Sequence, residues 1–258
     1  MGSVPPSHPR YNSLMARKKL TAAASKGMLA DSALIAHGRG EAFDYLLNEK
    51  TCNPARKAIR EVAARLQDAS SPVISLNGNT TVLAGTTLLA CAAVLSCPVE
   101  INIYYRTPER MTALQEYLES IREEAKALLP QSIANQVDDV PILGASPNGE
   151  IPGLEGPRAK CHSNGILGAD VILVPLEDGD RCEALISMGK TVCVIDLNPL
   201  SRTAKMATVT IVDEVTRCSS LLLEDLLGDN LDSLPAWNQQ QNLDDSLNIM
   251  LRGLSNGK

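Results

Sequence analysis

One stretch limits the fold more than any other. Residues 171–204 read VILVPLEDGDRCEALISMGKTVCVIDLNPLSRTA. Two short apolar runs, 171–176 and 191–197, are rich in β-branched residues and read as strands buried on both faces, the pattern of a parallel sheet. Between them lie a charged loop, 177–181, and a short helical segment, 184–188, which Gly189 is placed to stop. A second polar loop, 198–203, follows the second strand. Both loops fall at the carboxyl ends of strands, where open α/β sheets hold ligands. Asp178 and Asp180 are hard oxygen ligands able to hold Mg²⁺ directly or through water. Arg181 and Arg202 offer planar forks for phosphate or carboxylate. Acidic loops also serve merely to cap helices and stay solvated; two on successive strand ends tilt the balance towards a site.

The same grammar recurs upstream. Residues 72–76 read as a strand, Asn77-Gly78-Asn79-Thr80-Thr81 as a polar turn, and 82–95 as a small-residue helix. Free amides and the dipole at such a helix start suit an anion, although Asn-Gly-Asn also makes a plain tight turn. Neither G-x-x-x-x-G-K-[ST] nor G-x-G-x-x-G is present. Further strands are expected at 99–104, 140–143 and 208–212. Thr107-Pro108-Glu109 opens a long helix that runs to Leu128, and 219–227 forms another. The Pro- and Gly-rich segment 144–160 is a long irregular loop carrying Glu150, Glu155, Arg158 and Lys160, suited to a lid or a substrate wall.

Ahead of the sheet, 10–26 reads as a helix behind a polar arm. Residues 31–37 begin a helix that breaks at Gly38-Arg39-Gly40 and restarts over 42–47. Glycines flanking Arg39 either let the backbone approach a ligand closely or mark a simple break. Asn53-Pro54 starts an amphipathic helix. The expected organisation is an N-terminal helical segment, 1–70, packed on an α/β core, 71–227, followed by a polar tail, 228–258, with a weak helical pattern at Leu243, Leu247, Met250 and Leu251.

Composition narrows the function classes. The net charge of −6 argues against a broad nucleic-acid surface, so an anionic ligand has to be held by local positive charge. The seven cysteines are scattered, without a C-x-x-C, and read as core fillers in a reducing cytoplasm rather than as disulfides or zinc ligands. The polar, proline-rich start does not read as a signal peptide. The longest apolar run, at 82–95, falls short of the ~20 residues that span a bilayer, so no membrane partner is expected.

Several strings are long and unusual enough to carry a resemblance: SHPRY at 7–11, ALIAHGRGEAFDYLL at 33–47, SLNGNT at 75–80, IPGLEGPRAK at 151–160, PLEDGDR at 175–181, the Met188-Gly189-Lys190 turn and IDLNPLSRTA at 195–204. From Ser7 to about Cys218 the chain resembles the archaeal phosphopantothenate synthetases, or 4-phosphopantoate–β-alanine ligases. It departs from them at Cys182, where a threonine is expected. The resemblance implies a cytoplasmic homodimer that joins 4-phosphopantoate to β-alanine and converts ATP to AMP and diphosphate through an acyl-adenylate, on the route to coenzyme A. It implies Arg17, Arg39, Asp178, Gly179, Asp180, Arg181, Leu197 and Asn198 at the nucleotide, with Arg39, Asp180 and Arg181 catalytic and Asp178 and Asp180 on Mg²⁺. Asn77, Asn79 and Arg158 fall to the acid substrate. The expected fold is a Rossmann-like, mostly parallel sheet flanked by helices, with an N-terminal helical segment. Two other classes compete with the ligase: a nicotinamide-dependent oxidoreductase, against which the missing glycine fingerprint argues, and a non-catalytic nucleotide-binding subunit.

Overall fold

The computed structural model describes residues 4–228 and 237–255. Six strands form one parallel sheet: β1 (Pro72–Leu76), β2 (Val99–Ile101), β3 (Ile142–Leu143), β6 (Val171–Pro175), β7 (Thr191–Ile195) and β8 (Val209–Ile211). Two more, β4 (Gly149–Glu150) and β5 (Lys160–Cys161), pair with each other antiparallel. The order across the main sheet is β3-β2-β1-β6-β7-β8. Chain direction along the sheet therefore reverses between β1 and β6, where Pro72 pairs with Val171 and Ile74 with Leu173. This is the doubly wound Rossmann order, and its switch point is where such sheets open a crevice.

The two-residue period of the strands builds the core on both faces. Leu173, Cys193 and Ile195 point into one core, completed by Ile59 and Val62 of α3 (Asn53–Asp68), Leu88 and Leu89 of α4 (Gly78–Val94) and Leu222 of α10 (Val215–Leu227). Ile172, Val174, Val192 and Val194 point the other way, onto Cys182 and Leu185 of α8 (Gly179–Ser187) and onto Ile151, Cys161 and Ile166. The loop 144–160 thus does a helix's work on that face, through the β4–β5 pair and a 3-10 turn at Pro157–Ala159. Burying each such aliphatic side chain contributes roughly 1.5–3 kcal/mol. Apolar on all sides, α4 lies inside the helical layer, against α1 (Tyr11–Ser25), α6 (Arg122–Lys126), α7 (Gln136–Asp139) and α10. Among the described residues no helix is long and apolar enough to cross a membrane.

Several boundaries differ from the sequence reading. The helix α2 (Asp31–Asp44) runs unbroken through Gly38 and Gly40. Neither glycine has a positive φ, and a Cβ at Gly38 would meet nothing, so the pair marks no break. Helices α4 and α8 begin at Gly78 and Gly179, so both polar turns are first helical turns rather than loops. The long helix expected over 108–128 divides at Ile121 into α5 (Pro108–Ser120) and α6. Within the stretch read as a tail, α11 (Gln239–Ser255) is a full helix that buries Leu243 and Met250 beside Leu47 and Leu197. The short helix α9 (Arg202–Met206) lies against α8 and α11.

Candidate functional site

At the carboxyl edge of the sheet, beside the β1/β6 switch, lies a cavity of about 1300 Å³. Its floor is the turn from β1 into α4. Asn77 caps α4 by accepting from the Thr80 amide at 3.0 Å. Its Nδ2 donates across the switch to the carbonyls of Pro175 (3.1 Å) and Leu176 (2.9 Å). Leu176 leaves β6 with φ +56°, an uncommon conformation for a branched residue. The amides of Gly78 and Asn79 find no acceptor among the described residues. Asn79, 8% exposed, donates to the Ala33 carbonyl at 2.9 Å, while its Oδ1 is buried without a partner.

Arg158 enters the cavity from the 3-10 turn, held there because Asn102 at the end of β2 donates to the carbonyls of Arg158 and Lys160. One terminal nitrogen, Nη1, meets both Glu177 (2.5 Å) and Asp178. Behind it Arg181, fully buried, pairs with the other oxygen of Glu177 and donates to Ser75 Oγ at 3.2 Å. Asp178 also caps α8 by accepting from the Arg181 amide at 3.0 Å. Burial would raise its carboxyl, but the Arg158 charge and these hydrogen bonds outweigh that and hold it below the usual range. Asp180 faces outward and pairs with Arg202, which also takes Glu183. At Gly179 a Cβ would fall 2.7 Å from the Arg202 stem, so any side chain there displaces that arginine.

The opposite wall comes from α1, α2 and α10. Arg17 grips Glu41 with Nε (3.0 Å) and Nη2 (2.7 Å), and that hydrogen bonding raises its pKa. Burial opposes ionisation of Glu41, yet Arg17 and Ser13 bring its pKa below the ordinary value. Arg217 binds Asp44 and Asp213 together. His37 lines the cavity with Nε2 buried and unpartnered, and burial pushes its pKa down. Leu197 closes this side against Gly40. Asn198 is occupied locally: its amide donates to Asp196 and its Oδ1 accepts from Leu200. Arg39 is exposed and has no ion pair among the described residues, although its charge eases the burial-raised pKa of Asp196.

The fold therefore brings Asn77, Asn79, Arg158 and Leu197 to one cavity and connects Asp178 and Arg181 to it through Arg158 and Glu177. Arg17 reaches it through Glu41. Gly179 and Asp180 lie on the far side of α8, where Asp180 borders a smaller pocket with Glu155 and Glu183; Arg39 and Asn198 do not line the cavity. Asp178 and Asp180 are held by different arginines and present no joint pair of oxygens to a cation. No grouping of three or more metal-ligating side chains occurs among the described residues. Sequence reasoning overlooked Glu177, the carboxylate between two arginines, and Arg110, a cavity cation in the first turn of α5. Arg110 carried a signal: a positive charge at a helix start opposes the dipole.

Residues 54–240 match the family model described as phosphopantothenate/pantothenate synthetase. The chain belongs to the phosphopantothenate/pantothenate synthetase family. The model's span takes in the switch-point turn, Arg158, 178–181 and 197–198, and leaves Arg17 and Arg39 ahead of it. Relatives of this synthetase-family chain include a protein of Thermococcus kodakarensis, 47% identical over 224 residues, which cover 87% of this chain and 80% of the relative. A protein of Methanospirillum hungatei is 44% identical over 214 residues, 83% of this chain and 81% of its own. One from Methanosarcina mazei is 44% identical over 217 residues, 84% and 79%. All three bear the name 4-phosphopantoate–β-alanine ligase.

Proposed function

We propose that this chain is an amide-forming ligase that joins 4-phosphopantoate to β-alanine at the expense of ATP, releasing AMP and diphosphate in coenzyme A synthesis. The observation that carries the reading is the identity, over four fifths of their length, with relatives named for this reaction. The switch-point cavity supports it, with free helix-start amides and an arginine not fully paired.

The acid's carboxylate oxygen bonds to the α-phosphorus of ATP as the bond to the β-phosphate oxygen breaks, and diphosphate leaves. The amine of β-alanine then bonds to the acyl carbon of the adenylate. The C–O bond to AMP breaks, and the amine gives up a proton. A carboxylate is already nucleophilic, so the first step needs alignment and charge neutralisation rather than a strong base. In this reading Arg17 and Arg39 hold ATP phosphates. Asp178, Gly179 and Asp180, with Leu197 and Asn198, border the nucleotide. Arg181 acts through Glu177 on Arg158, which faces the acid together with Asn77 and Asn79. Asp178 and Asp180, once free of their arginines, would hold a Mg²⁺ ion, which would neutralise charge on the triphosphate. Leu34 and Ile35, exposed on α2, suit contact with a second copy of the chain. The buried free cysteines suit a reducing compartment such as the cytoplasm.

The deciding experiment incubates the purified protein, of subunit-pair mass on a sizing column, with ATP, Mg²⁺, 4-phosphopantoate and β-alanine. AMP and phosphopantothenate should appear together and vanish when any one substrate is left out. Nucleotide turnover to ADP, or none, refutes the reading.

A further inference from the structure

Five cationic side chains line the cavity: Arg10, Lys19, Arg110, Arg158 and Arg217. Arg10 is held by Glu41 and Glu49, and Arg217 by Asp44 and Asp213. Arg158 has carboxylates on Nη1 alone, and its Nε is buried without a partner. Lys19 is solvated on α1. Arg110 differs from all of them. It is half-buried and has no carboxylate partner among the described residues; Nη1 donates to the Tyr105 carbonyl at 2.6 Å, and Nε is buried with no acceptor.

Beyond the Tyr105 carbonyl, the described residues offer that guanidinium no partner. Arg110 sits in the first turn of α5, where the helix dipole repels a cation, and desolvating an unsatisfied guanidinium nitrogen is costly. An anion in the cavity reverses both terms. The topology supplies its remaining ligands. Because α4 and α5 each follow a parallel strand, both start at the same carboxyl edge, on adjacent strands β1 and β2. Asn102, at the end of β2, anchors the turn that carries Arg158. Two arginines thus flank the end of β2 and line the same cavity as Gly78 and Asn79, whose amides are unpartnered among the described residues. Asn79 adds a different demand: its buried Oδ1 is an acceptor and needs a donor such as a hydroxyl. The site asks for an anionic group together with a hydroxyl on one small molecule.

We propose that Arg110, with the free edge of Arg158 and the first amides of α4, grips the phosphate monoester of the acid substrate, and is the group by which this site chooses the phosphorylated hydroxy acid over the free one. The inference rests on the ligase reading for the identity of the substrate, but not for the existence of the anion site. The fork and the amides bind dianionic phosphate in ground and transition states alike, so the effect belongs in KM.

The test compares wild type, Arg110→Ala and Arg110→Lys with 4-phosphopantoate and with pantoate. Arg110→Ala should raise KM for 4-phosphopantoate by about 10-fold or more, with kcat changed less and KM for ATP unaltered. The preference for the phosphorylated acid should fall by the same factor, and Arg110→Lys should recover part of it. Since the substitution removes a charge opposed to the dipole, the melting temperature should hold or rise, whereas loss of a structural arginine lowers it. An unchanged preference, or a rise in KM for ATP alone, overturns the proposal. Should the wild type form no phosphopantothenate, the ligase reading fails separately. Calorimetric titration of 4-phosphopantoate alone into wild type and Arg110→Ala then decides: weaker binding by the variant upholds the site, and equal binding overturns it.

Discussion

Asp180 and Arg181 are neighbours with opposite surroundings. Asp180 is solvated and shares Arg202 with Glu183, while Arg181 is fully buried between Glu177 and Ser75. Exposed ion pairs are screened and contribute little. Removing one partner of a buried pair strands the other and costs about 3–5 kcal/mol. Arg181→Met is therefore expected to lower stability to urea by about that amount, whereas Asp180→Ala leaves the unfolding midpoint where it is. Adding Glu177→Gln to Arg181→Met should recover part of the loss, since Arg158 then neutralises Asp178 alone instead of two carboxylates. Equal midpoints for the two single variants would mean that the pair does not hold α8 to the sheet. This difference was not legible in the sequence. DGDR announces two acids and a base, but which of them faces the sheet depends on where the helix begins. Starting α8 at Gly179 rather than near Ala184 turns Arg181 inward and places Asp178 at the cap.

At the scale of elements, the strands were legible because being buried on both faces leaves almost no polar residue in them, and β6 and β7 show it. Helix starts were less so. SLNGNT carries both a turn and a cap, and only tertiary contact shows that Asn77 serves both: its Oδ1 caps α4 and its Nδ2 ties that helix to the end of β6. The two roles separate by substitution. Asn77→Asp keeps the capping oxygen and adds a negative charge at a helix start, which alone is neutral or favourable. It also removes both donors and sets a carboxylate against two carbonyls. A net loss of about 1–3 kcal/mol is expected in thermal or urea unfolding, and no loss would show that the cross-switch bonds carry no weight. The helix α11 showed only as a weak pattern in the sequence because its outward face is Asn, Gln and Asp. Its inward residues Asn242, Leu243, Ser246 and Met250 are half polar, and Asn242 is there to satisfy the Thr210 carbonyl.

At the scale of the whole molecule, the buried charges make the response to pH a sum of opposed terms. Glu41, Asp170 and Asp178 have pKa values below the ordinary carboxylate range. For each, burial is overcome by arginine or by hydrogen-bond donors, so each contributes stability above about pH 4 and loses it as pH falls further. Burial raises Glu100 against the His162 and Ile166 amides, Asp196 against Ser201 and the Asn198 amide, and Asp213 against Arg217 and Thr51. These three bind protons in the folded protein before the unfolded chain does, so their contribution grows as pH falls through their folded values towards the ordinary one. His37 works the other way: burial lowers its pKa, so below about 6.5 the unfolded chain takes the proton first and stability declines. Between about pH 6.5 and about 4 the histidine opposes the three raised carboxylates, and below about 4 the depressed set dominates. The melting temperature, followed by scanning calorimetry, should change less from about pH 7 to about pH 5 than below about pH 4, where it drops steeply. In His37→Gln the opposing group is gone, so the change in melting temperature from about pH 7 to about pH 5 should be more positive than in the wild type. Equal changes in the two proteins would remove His37 from the balance; a variant whose melting temperature still falls over that interval would remove Glu100, Asp196 and Asp213.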